Sequence, residues 1–127
     1  MAVRFFKCEN CGNIATLVKD VGVKLNCCGS DMKELVPGSV DAATEKHVPV
    51  DEVKGNEVFV KVGEVAHPMM DNHYIGFIAL ETAQGVQIKY LDPNDEAAEA
   101  TFALADGDRA VCAYEYCNLH GLWKKDL

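Results

Sequence analysis

The sequence predicts a mainly β protein in two parts: a small N-terminal unit stapled by a metal ion, and an immunoglobulin-like β-sandwich of about seven strands. Three observations support this prediction. Four cysteines lie close together near the N-terminus, short apolar runs alternate with turn signals further on, and only one short stretch has a helical pattern. With 127 residues, 49% of them hydrophobic, the chain is long enough for one real core and a small appendage.

The first predicted domain covers residues 1–36. Cys8 and Cys11 belong to a tight turn, and the adjacent pair Cys27 and Cys28 follows later. Two short strand-like runs separate the pairs, Ile14–Val18 and Val23–Leu25. A segment of this length cannot bury enough apolar surface to fold alone, so we expect a bound metal ion to stabilise it.

The second predicted domain covers residues 37–127 and begins at a Pro-Gly-Ser junction. Its apolar residues recur at every second position within short runs, as in half-buried strands. The predicted strands are Val48–Val53, Val58–Val62, Tyr74–Leu80, Val86–Leu91, Ala100–Leu104 and Arg109–Tyr114. Glycine-containing turns predict that these runs pair as three hairpins. One helical turn is predicted over residues 95–99.

The composition excludes several classes of partner. A formal net charge of -8 argues against nucleic acid and against an anionic membrane surface. No run of about 18 apolar residues is present, and the first residues lack the pattern of a secretory signal. We therefore expect a cytoplasmic protein, in which the six cysteines are metal ligands or core residues rather than disulfides.

The four N-terminal cysteines predict a closed tetrathiolate site for zinc or iron. Cys8 and Cys11 form a C-x2-C pair, whereas Cys27 and Cys28 are adjacent. A zinc ribbon normally repeats the C-x2-C spacing, and adjacent cysteines bind one metal only by skewing its tetrahedron. Both metals tolerate such a distortion, so the spacing leaves the choice between them open.

A second group of ligands is predicted around the stretch from Tyr116 to Trp123. There Cys117 and His120 can direct a thiolate and an imidazole at one metal, and the chain has three further histidines that can join them, His47, His67 and His73. If these histidines lie on loops at one end of the sandwich, they converge with the thiolate. Four imidazoles and one thiolate suit a redox iron with one position left open.

Three further residues need an interpretation. Glu45 and Lys46 directly precede His47, so they lie near the open face of the metal if His47 is a ligand. The alternative is a solvated pair of charges in front of a strand. Cys112 has the position of a buried strand residue, and we assign it no role.

These motifs resemble a known family. The segments Glu45–Val50, His67-Pro68, His73 and Cys117–Trp123 closely resemble superoxide reductases. The two N-terminal cysteine pairs resemble desulforedoxin. Together they resemble desulfoferrodoxins, the two-iron class of superoxide reductase, over essentially the whole chain.

The resemblance implies an Fe(Cys)4 centre in a desulforedoxin-like domain and a reactive Fe(His)4(Cys) centre in the sandwich. It implies four equatorial imidazoles (His47, His67, His73 and His120) and Cys117 as the axial ligand. Glu45 would be the mobile sixth ligand of the ferric state, and Lys46 would guide the substrate. The implied reaction is one-electron reduction of superoxide to hydrogen peroxide, without dioxygen production. A homodimer, a rubredoxin-like electron donor and a role in oxidative-stress detoxification are also implied.

Two other classes compete with this interpretation. A blue-copper electron carrier would use His47, Cys117 and His120 in a His2Cys site, although no methionine follows Cys117 and two histidines would stay unused. A zinc-stapled binding module would have no redox chemistry. Metal analysis separates the three: two irons per chain, one copper, or zinc only.

Overall fold

The computed structural model describes residues 3–127, which divide into two units, Met1–Val36 and Pro37–Leu127. Both units consist of antiparallel strands, and the longest helix in the described residues has four residues. None of the helices found between residues 3 and 127 has the length and hydrophobicity needed to cross a membrane. The mainly β prediction is confirmed.

The N-terminal unit contains two very small sheets. Strands β1, β2 and β5 form one sheet in the order β2-β1-β5, and β3 pairs with β4 in a hairpin. The five strands are Phe5–Lys7, Ile14–Thr16, Asn26–Cys27, Ser30–Asp31 and Lys33–Glu34, numbered β1 to β5. Each strand has only two or three residues, so few backbone hydrogen bonds and little buried apolar area stabilise this unit.

The predicted strand over residues 23–25 is absent from this unit. Val23 is 73% exposed and pairs with no strand. Contacts of Asp20 fix the loop instead. Its carboxylate accepts a hydrogen bond from the Gly22 N–H at 2.9 Å and forms an ion pair with Arg4 at 2.6 Å. The run of valines resembles a strand in its composition, but no neighbouring strand is available to pair with it.

The C-terminal unit is a sandwich of seven strands, as predicted. Its elements are α1 Thr44–His47, β6 Pro49–Lys54, β7 Glu57–Val62, β8 Ile75–Thr82, β9 Gly85–Tyr90, β10 Glu99–Ala103, β11 Ala110–Cys117 and β12 Gly121–Asp126. One sheet has the order β10-β7-β6 and the other β12-β11-β8-β9. All of these pairs are antiparallel.

The core lies between the two sheets. Apolar residues of β7, β8 and β10 form this core and are at most 2% exposed, namely Val58, Val60, Val62, Ile75, Ile78, Leu80 and Phe102. Each such side chain contributes about 1.5–3 kcal/mol by burial. The sandwich therefore has a source of stability that does not depend on a metal.

Three details differ from the sequence-based expectations. Strands β10 and β11 do not form a hairpin, because β10 pairs with β7 while β11 pairs with β8 and β12 in the other sheet. Residues 96–98 are bends rather than a helix, and β10 begins at Glu99. Strand β12 had not been expected, because its last three residues, Lys124–Asp126, are charged and exposed.

Candidate metal centres

The four N-terminal cysteines come together at one point. Their sulfur atoms all lie within 4.8 Å of one another. The sulfur of Cys27 is 3.7 Å from that of Cys11 and 3.9 Å from that of Cys28. Four sulfurs bound tetrahedrally at about 2.3 Å from one metal are separated by about 3.8 Å. The cluster therefore fits one tetrahedral ion.

The local backbone explains how adjacent cysteines reach the same point. Cys28 has a φ of 54° and is the only non-glycine residue between residues 3 and 127 with a left-handed backbone conformation. This conformation redirects its side chain relative to that of Cys27. The Cys11 N–H points at the Cys8 sulfur from 3.5 Å and lowers the pKa of Cys8 to about 6. Hydrogen bonding to Cys8 and Cys11 raises the pKa of Cys27 to about 12. Crowded sulfurs of this kind are stable as thiolates when a cation lies between them.

The second group of ligands lies at one end of the sandwich. His47 ends α1, two positions before the start of β6, while His67 and His73 lie between β7 and β8, and Cys117 ends β11. Because these strands are antiparallel, the start of β6 and β8 and the end of β7 and β11 occur at the same end. The ligand atoms of these four residues lie within 4.8 Å of one another.

His120 completes this group from the turn between β11 and β12. Its Nδ1 atom is 3.0 Å from Nε2 of His47 and 3.8 Å from the sulfur of Cys117. Two nitrogens bound at right angles to one metal, each about 2.1 Å away, are separated by about 3.0 Å. His120 therefore lies beside the same group of ligand atoms.

The four imidazole rings form a closed cycle. The ring centroids of His47 and His67 are 4.8 Å apart, those of His67 and His73 4.6 Å, those of His73 and His120 5.2 Å, and those of His120 and His47 4.8 Å. Every consecutive pair has an interplanar angle between 77° and 90°. Four rings in this arrangement present four nitrogens around one point.

Hydrogen bonds orient two of the rings toward that point. His47 donates from Nδ1 to the Ala43 carbonyl, and His67 donates from Nδ1 to the Pro68 carbonyl, both at 2.8 Å. Each donor fixes the tautomer, so the Nε2 lone pair faces the centre. Nε2 of His67 and Nε2 of His73 are buried and have no hydrogen-bond partner among the described residues. A metal ion satisfies such atoms.

Burial keeps these imidazoles neutral. Desolvation lowers the pKa of His67 to about 4, and it also lowers the pKa of His47 and of His73. The neighbouring imidazoles reinforce the effect, because protonation of one ring disfavours protonation of the next. Neutral rings have free lone pairs at physiological pH, which a metal requires.

Cys117 lies beside the cycle of rings, with its sulfur 3.8 Å from Nδ1 of His120, and is fully buried. Burial raises the pKa of its thiol, and the backbone N–H groups of Leu119 and His120 oppose that rise. These two donors stabilise a thiolate inside the sandwich. A metal bound here therefore meets four neutral nitrogens and one negative sulfur.

Two supporting residues were missed in the sequence analysis, although both lie inside the stretch from Tyr116 to Trp123. The Trp123 ring stacks on His47 at 5.1 Å, and its Nε1–H donates to the His120 carbonyl at 3.0 Å. Asn118 accepts from the Tyr74 N–H at 2.8 Å and donates to the Asn72 carbonyl at 3.1 Å. Asn118 thereby holds the residues on both sides of His73.

Glu45 and Lys46 lie on α1, immediately before His47, and both are exposed. Desolvation and neighbouring imidazoles lower the pKa of His73, and the positive charge of Lys46 adds to that effect. The positive charge of Lys46 therefore acts on at least one of the proposed ligands. The sandwich cysteine without an assigned role, Cys112, is buried in β11 as expected.

The two groups define a class of protein. The first is a tetrathiolate with no oxygen or nitrogen ligand, and the second combines imidazole nitrogens with one thiolate, a donor set that suits redox iron. A His2Cys copper site would leave two of the four converging imidazoles without a function. The fold and sites thus define a β-sandwich metalloprotein with two different metal centres.

Comparison with known proteins agrees with this class. Residues 39–126 match the family described as Desulfoferrodoxin, and residues 2–35 match the family described as Desulfoferrodoxin, N-terminal domain. The desulfoferrodoxin of Nitratidesulfovibrio vulgaris is 48% identical over 95% of this chain and 94% of its own length. The desulfoferrodoxin of Syntrophotalea carbinolica is 46% identical over 95% of this chain and 94% of its own length. A crystal structure of the superoxide reductase from Treponema pallidum covers 99% of this chain and 100% of its own, with a TM-score of 0.84 and 42% identity.

The chain therefore belongs to the desulfoferrodoxin family. Members of this family carry two irons, and the two ligand clusters account for both. Iron rather than zinc thus belongs in the tetrathiolate centre, a choice that the cysteine spacing had left open.

Proposed function

We propose that this chain is a superoxide reductase that converts superoxide to hydrogen peroxide by adding one electron and two protons, without releasing dioxygen. The observation that supports this most directly is the closed cycle of four imidazoles next to the buried sulfur of Cys117. Family membership and the 42% identity to a structure named as a superoxide reductase point to the same activity.

The proposed ligands follow from the two clusters. The imidazoles of His47, His67, His73 and His120, together with the thiolate of Cys117, would hold the reactive iron. In the other centre, iron is bound by Cys8, Cys11, Cys27 and Cys28. Glu45 is the proposed sixth ligand of the oxidised imidazole–thiolate centre, since its backbone lies two residues before His47.

When bound, the iron of the imidazole–thiolate centre supplies the electron. The chain's own residues control how superoxide reaches it. Neutral imidazoles leave ferrous iron and one thiolate with a net charge of about +1, and exposed Lys46 adds another positive charge. This local field attracts a small anion to a protein whose net charge is -8.

The Cys117 thiolate has a separate role. Its electron density stabilises the oxidised metal and so favours transfer of the electron to superoxide. The N–H groups of Leu119 and His120 moderate that donation. Solvent supplies the two protons, and the exposed Lys46, which directly precedes His47 on α1, can assist their delivery.

We further propose a division of roles between the domains, with residues 1–36 binding iron in the Fe(Cys)4 centre and residues 37–127 performing the reaction. A rubredoxin-like protein is the proposed electron donor, and the proposed assembly is a homodimer. The free state of the four N-terminal cysteines is consistent with a reducing cytoplasm. The proposed biological role is detoxification of superoxide in anaerobic or microaerophilic metabolism.

Product stoichiometry tests the function. The reduced, iron-loaded protein is mixed with a limiting amount of superoxide, and hydrogen peroxide and dioxygen are measured. We expect one hydrogen peroxide per superoxide and no dioxygen. A yield of one dioxygen for every two superoxides would instead indicate dismutation and contradict the proposal.

Paired cysteine variants show which sulfur is required. Cys117→Ser should abolish the reaction, because it removes the thiolate next to the imidazoles. Cys112→Ser should retain it, because Cys112 is a buried β11 cysteine outside both clusters. Equal activity of the two variants would exclude Cys117 as the axial ligand.

A further inference from the structure

Gly63 directly follows β7 and lies against the backbone of α1. A Cβ atom at this position would be 2.7 Å from the Glu45 carbonyl oxygen, 2.9 Å from the Lys46 carbonyl carbon and 3.0 Å from the Val48 carbonyl oxygen. All three are backbone atoms, which cannot rotate aside as a side chain can. Only glycine allows the loop after β7 to come this close to the turn that contains Glu45, Lys46 and His47.

Two hydrogen bonds use this close approach. The Val65 N–H donates to the Glu45 carbonyl at 2.9 Å, and the His67 N–H donates to the Val62 carbonyl at 3.1 Å. The loop of residues 63–66 therefore holds α1 at one point and begins the segment of His67 at another. It links the backbone of Glu45 to that of His67.

The strand on one side of this contact is fixed. Val62 pairs with Pro49 in the β6–β7 ladder, and its N–H donates to the Ala98 carbonyl at 2.9 Å. Its side chain is 2% exposed. A larger residue at position 63 thus cannot be accommodated by a shift of β7, so the displacement acts on α1 and on the loop.

We propose that Gly63 is a positioning residue that sets the place of the Glu45–Lys46 backbone relative to the imidazole–thiolate centre. Its lack of a side chain permits the Val65–Glu45 hydrogen bond, which holds the turn beside the metal ligands. The part of this inference that concerns superoxide rests on the proposed function of Lys46. The part that concerns the backbone contact does not.

The test compares Gly63→Ala with Gly76→Ala in the iron-loaded protein. Gly76 lies in β8, and a Cβ there would meet only tyrosine side-chain atoms and one carbonyl oxygen at 3.8–4.0 Å, which is ordinary contact. We expect hydrogen exchange of the Val65 amide to accelerate by about tenfold or more in Gly63→Ala. We expect the wild-type rate in Gly76→Ala. Equal exchange at Val65 in the wild type and Gly63→Ala would overturn the proposal.

The reaction with superoxide provides a second readout. We expect Gly63→Ala to lower the bimolecular rate constant by about tenfold and to flatten its dependence on salt, because Lys46 moves from its position. In a Lys46→Ala background the same glycine substitution should cause no further loss. A full tenfold further loss in that background would show that Gly63 does not act through Lys46.

These outcomes are distinct from failure of the proposed function. If wild-type protein does not react with superoxide, the function is wrong, while the exchange comparison at Val65 still tests the role of Gly63. If Gly63→Ala does not fold, hydrogen exchange of the Val65 amide in the wild-type protein tests the proposal instead. There the amide of Val65, a residue 48% exposed, should be protected from exchange. Exchange at the rate of an open loop would overturn the proposal.

Discussion

The two metal centres differ in how the chain supplies their ligands. The tetrathiolate draws all four sulfurs from residues 8–28, in a unit whose strands have only two or three residues. The imidazole–thiolate centre draws its ligands from α1, the connection between β7 and β8, and the hairpin of β11 and β12, which the sandwich brings to one end. One centre is local in sequence, and the other exists only in the folded domain.

This difference indicates which part of the molecule depends on its metal. The N-terminal unit buries Phe5 and Phe6 but leaves Val18, Val21 and Val23 more than 70% exposed. Its metal must therefore replace much of a core. The sandwich has a continuous core of buried residues from both sheets. Its centre is held by packing and hydrogen bonds before any metal binds.

The largest expected difference between the two units is their response to removal of both irons. In small metal-stapled domains, metal binding supplies folding free energy on the order of 10 kcal/mol. After anaerobic chelation, we expect amides of residues 3–36 to exchange at open-chain rates, whereas amides of β8 and β11 stay protected. Hydrogen exchange read by mass spectrometry measures both. Retained protection in the N-terminal unit would contradict the comparison.

Asn118→Ala should weaken iron binding in the sandwich without unfolding it. The variant loses the side-chain contacts to Tyr74 and Asn72 that fix the backbone on both sides of His73. Loss of such supporting contacts costs about 10–100-fold in metal affinity. A chelator competition assay measures the effect. Asn56→Ala, which loses a 2.9 Å surface hydrogen bond to Asp106, is the matched control and should bind iron normally.

Lys46→Ala should slow the reaction with superoxide by about tenfold and flatten its salt dependence, because the variant loses the local positive charge. Pulse radiolysis at several ionic strengths measures both effects. Lys54→Ala makes the same change in net charge at the far end of β6, where Lys54 pairs with Glu52 at 3.2 Å. The guiding role is wrong if both variants react alike.

Glu115→Gln should stabilise the sandwich by about 1 kcal/mol at pH 7. Both carboxyl oxygens of Glu115 are buried without a hydrogen-bond partner among the described residues, and burial raises the pKa of this carboxyl well above its ordinary value. The folded state thus retains a proton that the unfolded state releases above about pH 4.3, so the wild type loses stability as pH rises.

Urea unfolding of the iron-free protein at pH 6 and pH 8 measures this effect. The stability difference between Glu115→Gln and the wild type should be larger at pH 8 than at pH 6. Glu57→Gln, a change at an exposed carboxylate of β7, is the control and should show little difference at either pH. A gain for Glu115→Gln that does not grow with pH would show that the carboxyl is not protonated in the fold.

The metal ligands could be predicted from the sequence because cysteine and histidine are few and their chemistry is narrow. Their supporting residues could not. Asn118, Trp123 and Gly63 act through residues far away in the chain, and asparagine, tryptophan and glycine have many structural uses. Sequence patterns extend over a few neighbouring residues, so they do not reveal which distant part of the backbone each of these residues contacts.

Strand positions were also easier to predict than strand partners. The Asp106-Gly107 turn was expected to join a hairpin, yet it connects β10 in one sheet to β11 in the other. The same turn chemistry serves both kinds of connection. Strand β12 was missed because only Leu122 and Trp123 are buried in it, and its remaining residues are polar at the edge of the sheet.

The wide spread of ligands along the chain has a consequence for assembly. A nascent chain that ends before His120 contains the complete tetrathiolate but only part of the imidazole–thiolate set. The imidazole–thiolate ligand set is therefore complete only after the last hairpin, β11 and β12, has formed.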